Sequence, residues 1–219
     1  MDLAMSKRRS KLFWLISGLI IIVGVAAVAV GPIMSRVEQP EYLITASKGA
    51  IEVRSYDPMI SAQATVHGKR EDAINEGFRL IAAYIFGANK PNAKIEMTAP
   101  VQQQRELKIA MTAPVTQQAD GDRWTVEFIM PKRWTMETLP APEDDRVKLV
   151  PVLGRKMVVI RFSGSARDKL ITRKTAELRA YANEQKLDVV GEPVFAFYNP
   201  PWTLPFLRRN EVMFQLASK

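Results

Sequence analysis

Along this chain apolar positions first run unbroken, then alternate, then recur at helical spacing, and the last two patterns come twice. The unbroken run is Leu12–Ser35, which carries no charge between Lys11 and Arg36. Leu12–Val30 alone approaches the roughly 20 apolar residues needed to cross a hydrocarbon core of about 30 Å. Trp14 stands near its start, where an indole favours the interface. Ile51–Tyr56 (IEVRSY) then alternates, with Ile51, Val53 and Ser55 on one face and Glu52, Arg54 and Tyr56 on the other, which predicts a strand. Asp57-Pro58 predicts a turn and Met59–Val66 a second strand, completing a hairpin. Arg70–Phe86 places Ile74, Phe78, Ile81 and Ile85 on one helical face and ends at Gly87, which predicts a helix with more apolar surface than one sheet contact needs.

A short phrase follows in two copies, KIEMTAPV at Lys94–Val101 and KIAMTAPV at Lys108–Val115. Each has the shape of a strand ended by proline, which cannot donate to a ladder and so belongs at a strand end, an edge or a bulge; one copy can be the strand that closes against the preceding helix, and the other is then a neighbouring strand or a loop that mimics it. Trp124–Pro131 predicts a strand and Thr138–Asp145 a loop. The plan then repeats: strands Val147–Val152 and Met157–Phe162, helix Ala166–Gln185, strands Val194–Tyr198 and Glu211–Leu216. Two strand–strand–helix–strand–strand units predict an α+β domain, either one antiparallel sheet or a distorted barrel, with two helices packed on it.

Charge and composition refine this. The formal net charge is +8, and there are no cysteines and a single histidine. Lys7, Arg8, Arg9, Lys11 and Arg36 against Asp2 account for half of that charge. Basic residues before the apolar run orient it with its N-terminus in the cytoplasm and the rest exported. Ala27-Val28-Ala29 also offers a peptidase site, but the run is longer than an ordinary signal-peptide core, so an uncleaved anchor is the expectation. The organisation is then a basic tail (residues 1–11), a transmembrane helix (12–35), a linker (36–41) and one domain (42–219). No dense basic stripe with interleaved aromatics points to nucleic acid. Without cysteine, and with one histidine and no phosphate-cradling glycine loop, most nucleophilic and zinc chemistries are excluded, and an enzyme is not expected.

Asn199–Asn210 (NPPWTLPFLRRN) combines a stiff, proline-rich backbone with Trp202, Phe206, Arg208 and Arg209. Such a loop either caps the core or recognises a flat, apolar, anionic ligand, its arginines meeting carboxylates. Glu143, Asp144 and Asp145 read as a solvated loop. His67 sits in a turn before the first helix. Imidazole is a common iron ligand, while Tyr84, Met97 and Met111 are alternatives.

Several of these stretches together resemble the SOUL heme-binding protein family: IEVRSY, Phe78–Asn89 ending YIFGAN, both MTAPV phrases, Phe128–Pro131 (FIMP), Phe162-Ser163-Gly164 and Tyr198–Val212 ending RRNEV. The resemblance implies a distorted antiparallel β-barrel of two pseudo-symmetric halves flanked by two helices. It also implies reversible binding of heme or related tetrapyrroles in an apolar groove between the first helix and the loop before the last strand. On that reading Ile74, Phe78, Arg79, Ile81, Trp202, Phe206, Arg208 and Arg209 contact the ligand, and His67 is the candidate axial ligand. The partners are then a porphyrin and, through the N-terminal helix, the membrane. A sensor or interaction module for another ligand on the same fold is the alternative.

Overall fold

The computed structural model describes residues 37–90, 109–200 and 202–217. The apolar run 12–35 and the first MTAPV copy lie outside the described residues. Among the described residues no helix is long and apolar enough to cross a membrane.

The strands are β1 (Tyr42–Lys48), β2 (Ile51–Tyr56), β3 (Met59–His67), β4 (Asn89–Lys90), β5 (Val115–Asp120), β6 (Arg123–Ile129), β7 (Ala141–Pro142), β8 (Val147–Val152), β9 (Arg155–Phe162), β10 (Val189–Phe197) and β11 (Asn210–Leu216). The helices are α1 (Arg70–Phe86) and α2 (Asp168–Glu184), and a short 3-10 turn spans Pro205–Leu207. Nine strands form one antiparallel sheet in the order β1-β2-β9-β11-β10-β5-β6-β3-β8, and β4 pairs with β7. The repeat is real: β2-β3-α1-β5-β6 matches β8-β9-α2-β10-β11, and, with β1 left over at one edge, the sheet order is symmetric about the β5–β10 junction.

Two expectations are corrected. Among the described residues the sheet is open rather than a closed barrel: β1 and β8 stand at its two edges and do not pair with each other. The hairpin of β2 with β3 does not form either: β2 pairs with β1 and β9, β3 with β6 and β8. The Asp57-Pro58 turn therefore carries the chain from one half into the other, and Leu153-Gly154 does the same in return. Each half lends its first strand to its twin, which ties the halves together through backbone hydrogen bonds.

One row of cross-strand neighbours runs Ala64–Val126–Gln117–Phe195–Val212–Ile160–Ile51. Side chains alternate between faces along a strand, so this row marks a single face. Both helices cover it. α1 packs Ile81, Tyr84 and Ile85 against Ala62, Ala64, Val126 and Phe128. α2 packs Ile171 and Leu178 against Val158, Ile160, Val212 and Phe214. The close approach of α1 depends on Gly77, where a Cβ would stand 2.5 Å from Val126 Cγ2. Gly77→Ala is expected to lift the helix and destabilise the domain by about 1–3 kcal/mol; urea unfolding of the variant measures it, and an unchanged midpoint would mean the helix has room to spare.

The second copy of the repeated phrase is not a strand. Thr112 makes only an isolated parallel bridge, to Glu38, and β5 begins at Val115, directly after Pro114.

Candidate functional site

α1 packs on β3, β6 and β8 and α2 on β9 and β11, so the two helices stand on either side of the central strands β5 and β10. The α1 flank turned toward β8 is marked by Glu76, which meets Arg146 at 3.3 Å. Ile74, Phe78 and Ile85 lie on the other flank at 3.6-residue spacing, toward the central strands. Ile74 is half-buried against the core, Ile81 is fully buried within it, and Arg79 is exposed. Phe78 is 41% exposed and rests on Phe128, ring centroids 5.4 Å apart and planes inclined by 55°.

Below Phe78 the ladder runs Phe128–Val115–Phe197–Asn210. Asn210 is the root of the β10–β11 loop. Three strand spacings of about 4.8 Å put that root roughly 14 Å from the Phe128 ring. The loop is held in shape by its own polar groups. Arg208 Nε donates to the Thr203 carbonyl (2.7 Å), the Arg209 amide donates to Asn199 Oδ1 (2.6 Å), and the Gly164 amide donates to the Pro205 carbonyl (2.8 Å). The last contact sets the 3-10 turn beside the β9–α2 connection. Arg70, the first residue of α1, reaches the same connection through the Ala166 carbonyl and Asp168. Trp202 and Phe206 stay 64% and 68% exposed. Helix and loop thus both abut residues 164–168, and each turns a large apolar ring outward.

Arg209 is engaged elsewhere. Its side chain turns to the sheet face away from the helices, donating to Glu211 Oε1 (2.7 and 2.9 Å) and lying over the Tyr198 ring at 3.8 Å. Arg54 grips the same Glu211 with two hydrogen bonds (2.8 and 3.1 Å), and Tyr198 donates to it (2.9 Å). Burial pushes the Glu211 carboxyl up, but the hydrogen bonds and charges of Arg54 and Arg209 outweigh it and hold the group below its ordinary value. Burial raises the Tyr198 hydroxyl. Arg54 and Glu211 are almost wholly buried. Both stood in the stretches singled out in the sequence, IEVRSY and RRNEV, but on the strand face opposite the helix-covered one, where alternation alone reads a charged residue as solvent-facing.

His67 lies apart from these residues. It pairs with Arg123 at the far end of β3, five residues beyond Ala62, which pairs with Phe128. At about 3.4 Å per residue this is roughly 17 Å along the strand. His67 is exposed, and its Nδ1 sits 3.3 Å from Asp122 Oδ2. Tyr84 is buried and donates to the Pro140 carbonyl (2.9 Å). Among the described residues no group of three His, Asp or Glu could hold a metal ion. His67→Ala is expected to leave hemin affinity within about threefold, a change below 1 kcal/mol, read by absorbance titration; complete loss would make His67 an axial ligand.

The acidic loop has a partner in Arg146, whose side-chain and backbone hydrogen bonds hold the Asp144 carboxyl down at about 2. A separate cavity of about 520 Å³ opens where the chain crosses between the halves, lined by Pro58, Met59, Met130, Trp134 and Leu153 among others. Trp134 Nε1 is buried there without a hydrogen-bond partner among the described residues.

The sequence profile of the SOUL heme-binding proteins matches residues 37–215. The chain belongs to that family. No curated protein sequence matches this SOUL protein. Solved structures share its fold at low identity. A hydrolase from Listeria innocua is 16% identical, covers 79% of this chain and 94% of its own, and has a TM-score of 0.50. The C-terminal domain of EcmrR is 9% identical, covers 81% and 99%, and has a TM-score of 0.54. EcmrR in a DNA complex is 10% identical, covers 98% and 72%, and has a TM-score of 0.53. At such identities the likeness is one of fold alone. Family membership carries heme or tetrapyrrole binding at the level of the family, which is a binding family.

Proposed function

We propose that this SOUL protein is a membrane-tethered tetrapyrrole binder, a carrier, scavenger or buffer, holding heme or a related macrocycle in the valley between α1 and the β10–β11 loop. The observation that supports this is the outward placement of Phe78 on one element and of Trp202 and Phe206 on the other; Phe128, on which Phe78 rests, lies three strands, roughly 14 Å, from Asn210 at the root of the loop. Covering about 500 Å² of macrocycle at about 25 cal/mol per Å² yields about 12 kcal/mol; an association cost of at least about 4 kcal/mol leaves micromolar affinity without an iron–protein bond. Arg79 on α1 and Arg208 in the loop are the candidate carboxylate partners. Residues 12–35 are the proposed tether, with the domain on the outer side of the cytoplasmic membrane.

Hemin and protoporphyrin IX titrated separately into the purified chain test this. Saturable one-to-one binding of both, read as a shifted Soret band and quenched tryptophan emission, is the expected result. Uptake that never saturates would remove the site. A second reading rests on the cavity beside Trp134: a different amphiphile bound there, its acceptor meeting the unpartnered Nε1–H, would make the protein a sensor of a non-heme ligand.

A further inference from the structure

The end of the domain that carries the proposed ligand loop is also the end at which the chain enters it. Val37, the first described residue, packs into the cluster of Ala113 and Tyr198. The Glu38 carbonyl accepts from the Ala113 amide at 3.0 Å, and Glu38 bridges Thr112 in parallel. Gln39 Oε1 accepts from Arg209 Nη1 at 3.1 Å, at the root of the β10–β11 loop. The entering segment is therefore wedged between Met111–Ala113 on one side and that loop on the other.

The spacer behind it is short. Ser35 ends the uncharged run and Val37 already belongs to the packed domain, so the two are at most about 7 Å apart at 3.3–3.6 Å per residue. The polar layer of a bilayer is of about that thickness on each side. If residues 12–35 cross the membrane, the surface around Val37 lies against it. That surface is apolar where it need not be: Met111, Trp202, Leu204 and Phe206 are all large and exposed. Two of them are aromatic, one an indole, and Pro200 and Pro205 stiffen the loop that presents them. Such a loop loses little conformational freedom on inserting.

We infer that the β10–β11 loop, with Met111 across the entering segment from it, is a membrane-contact face: Trp202, Leu204 and Phe206 seat in the interface of the bilayer that holds residues 12–35. This rests on the tether reading above. It goes beyond that reading by fixing which face of the domain meets the lipid. The loop that walls the ligand valley then also touches the bilayer, so a tetrapyrrole dissolved in the membrane reaches the valley without crossing water.

The chain has no cysteine, so single labels are clean. Full-length Phe206→Cys and Val190→Cys, each spin-labelled, are reconstituted into phosphatidylcholine vesicles without hemin. Val190 is exposed too, but pairs with Gln215 at the opposite end of β10 and β11. Flotation of the vesicles reads the tether; relaxation by oxygen against a water-soluble nickel chelate reads the depth of each label. The label at 206 is expected to be shielded from the chelate at least about tenfold more than the label at 190, and Trp202→Cys should behave like Phe206→Cys. Chain that floats with both labels equally open to the chelate would overturn the docking and leave the tether standing. Chain that stays out of the floated fraction would overturn both.

Discussion

Glu211→Ala is expected to destabilise the domain by about 3–5 kcal/mol, a large part of the 5–15 kcal/mol that holds a typical domain folded. The carboxylate is the hub of a buried set: Arg54 holds it with two hydrogen bonds, Arg209 with two and Tyr198 with one. Deleting it leaves the buried Arg54 guanidinium, among the described residues, with Glu52 alone as its ionic partner, at 2.7 Å. A guanidinium does not shed its proton to escape burial, so the penalty remains. Urea unfolding monitored by tryptophan emission gives the magnitude, and a loss under about 1 kcal/mol would mean the cluster is wetter than its burial indicates. The same group sets the acid response. Its folded value lies below the ordinary 4.5, so its contribution is complete at neutral pH and above 4.5, and is lost as the pH falls through the depressed folded value. The wild-type midpoint is therefore expected to fall in acid more steeply than that of Glu211→Gln, which has no proton to take up at this position.

Trp202→Ala is expected to weaken hemin binding about thirtyfold while leaving the melting temperature near that of the wild type. An exposed indole covering about 80 Å² of macrocycle contributes about 2 kcal/mol at 25 cal/mol per Å². Little stability is at stake because Trp202 is mostly exposed in the free protein. Paired absorbance titrations and thermal melts separate the two quantities. Unchanged affinity would take the loop out of the site; a collapsed melting temperature would make Trp202 a cap on the core.

Legibility followed burial. Arg70–Phe86 was readable to the residue because its apolar positions recur at helical spacing and Gly87 stops it, and Ile51–Tyr56 and Val147–Val152 were readable from strand patterning. β1 was not, since an edge strand exposed along nearly its whole length has no need to alternate. β5 (VTQQAD) was missed for the opposite reason. It is central, between β6 and β10, yet reads as polar because Gln117 donates to the Arg70 carbonyl and Thr116 to Glu127. Asp57-Pro58 announced a turn but not its destination, so the exchange of first strands between halves was invisible, and whether the sheet closes depends on pairing between edges far apart in the chain. At the site, Phe78, Trp202 and Phe206 were legible as large apolar groups on a helix flank and a stiff loop. The two arginines of the loop looked alike in sequence. The structure ties Arg208 to its own loop and turns Arg209 to the buried Glu211, because alternation along the strand puts residues 209 and 211 on the same face.

The place of the ligand is tested most directly by comparing hemin binding of Phe78→Ala/Trp202→Ala with that of Leu153→Arg, which puts a charged side chain at the mouth of the 520 Å³ cavity. Saturable binding lost in the first variant and kept at wild-type strength in the second is the predicted result. The reverse pattern would contradict the valley and move the macrocycle to the crossing between the halves.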